Sequence, residues 1–250
     1  MTASRANGFP RAAAEWLAGD CRAPLIVGRA SAALTRVVTQ RGRGVTLVDP
    51  DRSGLARLRL PAPLAFAVVA DPSALPFAPL VFDVVLIAQG LHLGPPRILL
   101  SQFARVLAVG GRLGVCYTVR DDTIPWVRRL AALMQSVDPT AMRGDFGDES
   151  VAALTGNPYF PKLETREFRQ WVPVKEQGLV DMVARSAAAK QIDDDDVRRL
   201  LADVRLLYAN AARGSDLLLP YRVRCWRATV DHSEVTGPLT VPDEGLRITL

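Results

Sequence analysis

Two acidic residues of this 250-residue chain stand where strands of a sheet would end. Gly28 follows the apolar run "PLIV", and Asp49 closes the run "VTLVD" about 20 residues later. A carboxylate at this spacing after the glycine of a strand–turn–helix unit is placed to accept hydrogen bonds from both ribose hydroxyls of a nucleoside. Because a proline follows Asp49, the alternative is a simple Asp-Pro turn. We favour the nucleoside interpretation, since strand, turn, helix and strand follow in order.

Asp71 occupies the equivalent place after the next apolar run, "LAFAVVA". Its carboxylate could accept a hydrogen bond from the exocyclic amine of an adenine. Asp71 also precedes a proline, so a turn without a ligand is an equally good interpretation. The only two histidines are His92 and His232, which excludes a histidine-rich metal site. The three cysteines are far apart and lack metal-ligand spacing, so we predict buried structural thiols and no metal.

Alternating strand-like and helix-like segments must position these residues. Unbroken apolar runs are typical of a parallel sheet covered on both faces, and a βαβ alternation predicts a doubly wound α/β sheet. In such a sheet, ligands lie beyond the carboxyl ends of the strands. The predicted strands are 24–28, 44–50, 64–71, 82–90 and 111–119, and the predicted helices are 12–19, 31–42, 53–60 and 97–111.

The second half of the chain has a different pattern. We predict an antiparallel pair at one sheet edge from the strand-like segments 162–174 and 216–230. Predicted helices are 126–137, 174–190 and 193–213, and 142–160 is predicted as a mobile loop. Four successive aspartates begin the last helix, which suits the helix dipole better than it suits a metal. The predicted organisation is a core over 1–120, a cap with returning edge strands over 121–230, and an irregular tail over 231–250.

Composition limits the class of protein. With 49% hydrophobic and 23% charged residues, the chain is ordinary for a globular protein. It has no apolar stretch long enough to cross a membrane and no signal-peptide core, so we expect a cytoplasmic protein. The net charge is +5, and the basic residues, nearly all of them arginine, are dispersed along the chain. Nucleic acid is therefore an unlikely partner.

Three segments in combination, "ADPSALPF", "FDVV" and "FARVLAVGGRL", are fairly specific. With "VGRASAALT" and "VTLVDPD" before them, they resemble the class I S-adenosylmethionine-dependent methyltransferases. The closest branch resembles the small-molecule enzymes of the ubiquinone/menaquinone-biosynthesis type. The resemblance spans residues 8–230 and implies a Rossmann-like sheet, S-adenosylmethionine as cofactor and a small-molecule methyl acceptor.

The resemblance also implies residue roles. Asp49 would bind the ribose, Asp71 and Pro72 would border the adenine, and Gln89 would lie beside the methionine part. His92 would act as general base if the acceptor keeps its proton, although a surface position is the alternative. The remaining implied residues are Gly28, Arg29 and Ala30 in the cofactor loop, and Leu91, Tyr117 and Trp126 in the acceptor pocket, with core packing as the alternative for both aromatics.

The chain departs from the family in its first loop, which typically reads Asp-x-Gly-x-Gly-x-Gly. Aligned on Gly28, Ile26 replaces the acid, and Ala30 and Ala32 replace the later glycines. The loss of a carboxylate partner and of two bare backbones could lower affinity by roughly two to four orders of magnitude. Leu93 also replaces an aromatic residue, and the segment before "GFP" predicts a short or absent lid.

These departures leave three hypotheses open. The first is an active S-adenosylmethionine-dependent methyltransferase of a small molecule, supported by Gly28, Asp49, Asp71 and Gln89. The second is an inactive protein on the same fold, acting as a scaffold, partner subunit or ligand sensor. The third is another nucleotide-dependent enzyme such as a dehydrogenase. The altered glycine loop argues against this third hypothesis as much as against the first. A homodimer through the edge strands is a further expectation.

Overall fold

The computed structural model describes residues 9–28, 32–39, 42, 44–56, 58, 65–139, 141–142, 151–186, 192–212 and 216–233. Its strands and helices alternate along the first half of the chain and then give way to longer strands and helices. The strands are β1 Pro24–Val27, β2 Val45–Asp49, β3 Ala65–Val69, β4 Phe82–Ala88, β5 Leu107–Arg120, β6 Leu163–Val174 and β7 Leu217–Thr229. The helices are α1 Arg11–Ala18, α2 Ala32–Thr39, α3 Arg52–Ala56, α4 Pro96–Val106, α5 Pro125–Gln135, α6 Glu176–Ala184 and α7 Asp194–Ala212.

The seven strands form one sheet in the order β3-β2-β1-β4-β5-β7-β6. The first five pair in parallel, whereas β7 pairs antiparallel with both β5 and β6. This confirms the predicted doubly wound α/β fold with an antiparallel edge. Because β1, β2, β3 and β4 run in the same direction, the loops that follow them gather at one edge of the sheet.

Both faces of the central strands are buried, as their unbroken apolar runs require. Alternate residues of β1 pack on opposite sides: Leu25 and Val27 join a core beneath α4, whereas Ile26 joins a core beneath α1 and α2. We call these two sides of the sheet the α4 face and the α1 face. A third core lies among α5, α6 and α7 and includes Leu217 of β7.

Two boundaries differ from the sequence prediction. Helix α4 ends at Val106 rather than at the Gly110–Gly111 pair, because Leu107 is already extended and pairs with Phe82 of β4. Strand β5 therefore begins earlier and carries an irregularity before Arg112. The segment 151–160, predicted as part of a mobile loop, instead packs Val151, Leu154 and Phe160 into the core of the α4 face. None of the helices in the described ranges is long and apolar enough to cross a membrane.

Candidate functional site

An open cleft of about 510 Å³ lies at the carboxyl ends of β1, β2 and β4. This volume is within the range of about 300–1,000 Å³ that is typical of small-molecule sites. The sheet topology explains the position, since three parallel strands deliver their following residues to one edge. The cleft is lined by Gly28, Asp49, Pro50, Asp51, Ala88, Gln89, Gly90, His92 and Leu93.

Gly28 ends β1 in a backbone conformation that favours glycine, with φ of +82°. Its N–H donates to the carbonyl of Val48 on β2, at 2.8 Å, which ties the turn to the neighbouring strand. A Cβ atom at this position would lie 3.1 Å from Cδ1 of Leu93. The missing side chain therefore keeps the turn tight and leaves the cleft open between β1 and the segment after β4.

Asp49 is buried, with 3% of its surface exposed, yet it lines the cleft. It is the last residue of β2, and its Oδ1 accepts a hydrogen bond of 2.8 Å from the backbone N–H of Asp51. Asp51 in turn accepts a 2.9 Å bond from the N–H of Gly54 in the first turn of α3. The turn thus orients two carboxylates at one side of the cleft.

Gln89 is one of three described non-glycine residues with positive φ, which is +52° here. The unusual conformation is held from both ends, since its N–H donates to the carbonyl of Cys116 at 2.9 Å and its Nε2 donates to the carbonyl of Thr118 at 3.0 Å. Backbone outliers of this kind concentrate at functional sites, where the surrounding structure compensates their cost. Through its two hydrogen bonds to carbonyl groups of β5, Gln89 links the cleft to that strand.

His92 is exposed and lines the cleft within a short 3₁₀ turn, Leu91–Leu93. Leu93 lies against Gly28 and closes the opposite wall. The other histidine, His232, does not line the cleft. Its Nε2 lies 3.0 Å from the carbonyl oxygen of Ala104 in α4. His92 is thus the histidine that a molecule in this cleft could meet.

The structure gathers Gly28, Asp49, Gln89 and His92, but it does not bring every predicted cofactor residue to the cleft. Asp71 and Pro72 are not among the residues that line it. Asp71 is exposed, and its Oδ1 accepts a bond of 2.8 Å from the N–H of Ser73. The turn interpretation of this Asp-Pro pair therefore describes the geometry, and adenine contact stays a prediction. Arg29 and Ala30 lie outside the described residues.

The three predicted acceptor-pocket residues lie apart from one another. Leu91 is fully buried and Tyr117 is 6% exposed, both in the core of the α4 face, where Tyr117 meets Trp226 edge to face. Trp126 packs against the core of α5, α6 and α7. Packing favours the core interpretation of both aromatics, and none of the three lines the cleft. Their role toward an acceptor stays a prediction.

Ile26, which replaces the family's acidic residue, is fully buried on the α1 face. A carboxylate there would enter an apolar core, where an unpaired charge is costly. The substitution Ile26→Asp would therefore test fold stability rather than restore a ligand contact. The cleft also includes four residues that were not predicted as site residues: Pro50, Asp51, Ala88 and Gly90. The second acid of "VDPD" and the glycine of "AQG" were the available signals.

Comparison with known proteins places this geometry in context. A family model described as a methyltransferase domain matches residues 25–115. An uncharacterized methyltransferase of Mycobacterium bovis is 31% identical over 230 residues, which is 89% of each protein. Two solved structures share the fold. A protein of Anaeromyxobacter dehalogenans assigned as a type II methyltransferase has a TM-score of 0.62 at 20% identity, over 89% of this chain and 95% of that one. A protein of Anabaena variabilis assigned as a methyltransferase of antibiotic biosynthesis has a TM-score of 0.56 at 12% identity, over 82% and 90%.

Proposed function

The chain belongs to the class I S-adenosylmethionine-dependent methyltransferases, and we propose that its cleft binds S-adenosylmethionine and presents the methyl group to a small-molecule acceptor. One observation carries this proposal: Gly28, Asp49 and Gln89, which come from three separate strand ends, line a single cleft. The family uses this cofactor in general, and these three residues would hold it in this chain.

The residues fit the cofactor in charge and shape. Asp49 would accept hydrogen bonds from the ribose hydroxyls, because it lines the cleft at the end of β2. Gly28 would allow the backbone to approach the cofactor closely, since a side chain there would meet Leu93. Gln89 would border the methionine part from a conformation that two hydrogen bonds already fix. A preformed wall of this kind lowers the ordering cost of binding.

Gly28, Asp49 and Gln89 would hold the cofactor, whose sulfonium would supply an electrophilic methyl group for attack by the acceptor's lone pair, with the carbon–sulfur electron pair left on sulfur. The chain's task is to align the acceptor and to exclude water. If the accepting atom carries a proton that it must lose, His92 is the base within the cleft. An acceptor that is already deprotonated would not need it.

The inactive alternative rests on the altered loop, and the position of Ile26 weakens one part of it. Since Ile26 points into the core of the α1 face, its replacement of an acid leaves the cleft lining unchanged. The retained residues, Gly28, Asp49 and Gln89, support an active enzyme. Ala30 lies outside the described residues.

Calorimetric titration with S-adenosylmethionine and S-adenosylhomocysteine tests the proposal. We expect saturable binding of both, and we expect Asp49→Asn to weaken binding about 10- to 100-fold, the usual worth of hydrogen bonds to a charged group. The control is Asp203→Asn, which removes the same charge from an exposed position on α7. Absence of binding at millimolar ligand, or equal affinities for the two variants, would overturn the proposal.

A further inference from the structure

Strands β5, β7 and β6 extend past the end of β4 and form a wall beside the cleft. Ala88, the last residue of β4, pairs with Cys116, whereas β5 continues to Arg120. Gln89 is joined to this wall through the carbonyl of Thr118, which pairs with Val223 of β7. With strands spaced about 4.8 Å apart, β7 lies roughly 10 Å from Gln89, within reach of a small acceptor.

Two arginines stand directly opposite each other on the α4 face of this wall. Arg169 of β6 pairs with Arg222 of β7, and directly opposed residues of antiparallel strands share a face. Arg222 shares its face with Trp226, four residues along β7, which is part of the α4-face core. Because Arg169 and Arg222 are directly opposed, their Cβ atoms are about 5 Å apart, and like charges placed in this way destabilise a sheet.

The surrounding protein offsets this repulsion only in part. Nε of Arg222 lies 3.9 Å from Oδ1 of Asp121, and Nη1 of Arg222 lies 4.0 Å from Oε2 of Glu167. Both distances exceed those of hydrogen bonds. Nε of Arg222 is buried and donates no hydrogen bond to any residue that the structure describes. Arg224, two residues further along, adds a third positive charge to the face and lies 5.1 Å from the Trp226 ring.

Among the described residues, Asp121 and Glu167 are the carboxylates that approach this arginine pair, and neither lies within hydrogen-bond distance of Arg222. Solvent reaches both side chains, since that of Arg222 is 34% exposed and Arg169 is exposed. Guanidinium forks match the planar oxygens of carboxylates and the oxygens of phosphates. A repulsive arginine pair with unused donors is stabilised when an anion bridges it.

We propose that Arg169 and Arg222 bind an anionic group of the methyl acceptor, a carboxylate or a phosphate, and so set the specificity of the enzyme. The inference rests on the proposed function, since it places the acceptor between this pair and the cleft. The reacting atom would lie near His92 and Gln89, with the anionic group about 10 Å away on the wall. The acceptor class is thus a small molecule with one oxyanion remote from the methylated atom.

Thermal unfolding in the presence of anions tests the pair without knowledge of the acceptor. Wild-type protein is titrated with inorganic phosphate, acetate and chloride at constant ionic strength. We expect a saturable rise in Tm with phosphate, acetate or both, and no saturable rise with chloride. A response to acetate alone assigns a carboxylate, a response to phosphate alone assigns a phosphate, and a response to both supports the shared oxyanion chemistry. Equal responses to all three anions would overturn the inference.

The variant Arg169→Gln identifies the site of the response. We expect the anion midpoint to rise at least tenfold, while Tm without anion stays equal or increases because a like-charge pair has been removed. The matched control is Arg166→Gln, which removes the same charge from the same strand on the opposite face, where Arg166 lies over the Phe168 ring. Equal midpoints in the two variants, or a lower Tm without anion in Arg169→Gln alone, would contradict the inference.

S-adenosylhomocysteine affinity, measured in both arginine variants, separates this inference from the proposed function. We expect wild-type affinity in both, because the pair lies on the wall and not in the cleft lining. Normal cofactor binding with an unchanged anion response would reject the arginine pair alone. Absent cofactor binding in the wild type would reject the proposed function, whatever the anion response.

Discussion

The two halves of the sheet assemble their chemistry in different ways. In the parallel half, Gly28, Asp49 and Gln89 each lie at or just after the end of a strand, and the common strand direction brings them to one cleft. In the antiparallel half, Arg169 and Arg222 lie within strands and meet through register alone. The parallel half concentrates loop residues and backbone groups at an edge, whereas the antiparallel half presents side chains on a face.

Arginine has two opposite uses within the antiparallel half. On the α1 face, Arg227 donates 2.7 Å and 3.1 Å hydrogen bonds to Glu164 and to the carbonyl of Trp16, and its guanidinium lies 4.5 Å from the Trp16 ring. This arginine fastens α1 to the sheet. On the α4 face, Arg222 has only long contacts to carboxylates. The same residue type on the same strand is structural on one face and available to a ligand on the other.

The largest effect that would distinguish the two halves is expected at the first turn. Gly28→Ala places a Cβ 3.1 Å from Leu93 in a backbone with φ of +82°. We expect S-adenosylhomocysteine affinity to fall at least tenfold by calorimetry, with a loss of about 1 kcal/mol in unfolding free energy. The anion response of the arginine pair should stay unchanged.

Gly42→Ala is the matched control for this prediction. Gly42 has a similar φ of +72°, but a Cβ there meets nothing within 4 Å. We expect a similar loss of stability and no loss of affinity, because Gly42 does not line the cleft. A comparable fall in affinity in both variants would mean that backbone strain, and not the cleft wall, controls binding.

A smaller effect, on stability alone, is expected from Arg227→Met. The variant loses the bond to the Trp16 carbonyl and the cation–π contact, so urea unfolding should show a loss of about 1–2 kcal/mol. Arg166→Met, in which an exposed guanidinium lies 5.2 Å from the Phe168 ring, should lose less than about 0.5 kcal/mol. If both substitutions cost the same, the assignment of a fastening role to Arg227 fails.

The smallest effect concerns pH and Asp121, which is 5% exposed beside the arginine pair. A 2.7 Å hydrogen bond from the Thr123 hydroxyl lowers the pKa of this carboxyl, and the charges of Arg222 and Arg169 lower it further. Since the folded pKa is below the unfolded value of about 4, the ionised carboxylate stabilises the fold above that pH. The contribution is lost as the pH falls through the folded pKa.

We therefore expect Asp121→Asn to unfold at a lower temperature than the wild type at pH 7, and the difference in Tm should shrink below about pH 4. Thermal unfolding between pH 2 and pH 8 measures it. Asp122→Asn, which removes the neighbouring exposed charge, serves as the control. A Tm difference that is independent of pH would show that Asp121 acts through packing and not through its charge.

The sequence predicted the parallel half well because its signals are local. Each apolar run predicted a strand, and the polar residue at the end of the run was predicted to lie at the carboxyl edge of the sheet. Asp49 and Gln89 are examples. Asp71 had the same signal but does not line the cleft, because it follows the edge strand β3, whereas the cleft lies at the ends of β1, β2 and β4. The spacing of residues along the chain also did not predict which way the side chain of Ile26 points. Only the register of β1 turns it into the α1-face core.

What the sequence by itself determined is the family, the doubly wound sheet with its antiparallel edge, and the edge at which ligands are expected, because periodicity and loop position act over short distances. The opposition of Arg169 and Arg222 was decided only by the tertiary structure. These residues are separated by the whole of α6 and α7, and a shift of one residue in register would have sent one of them to the other face. Their cooperation depends on that register, and no spacing along the chain encodes it.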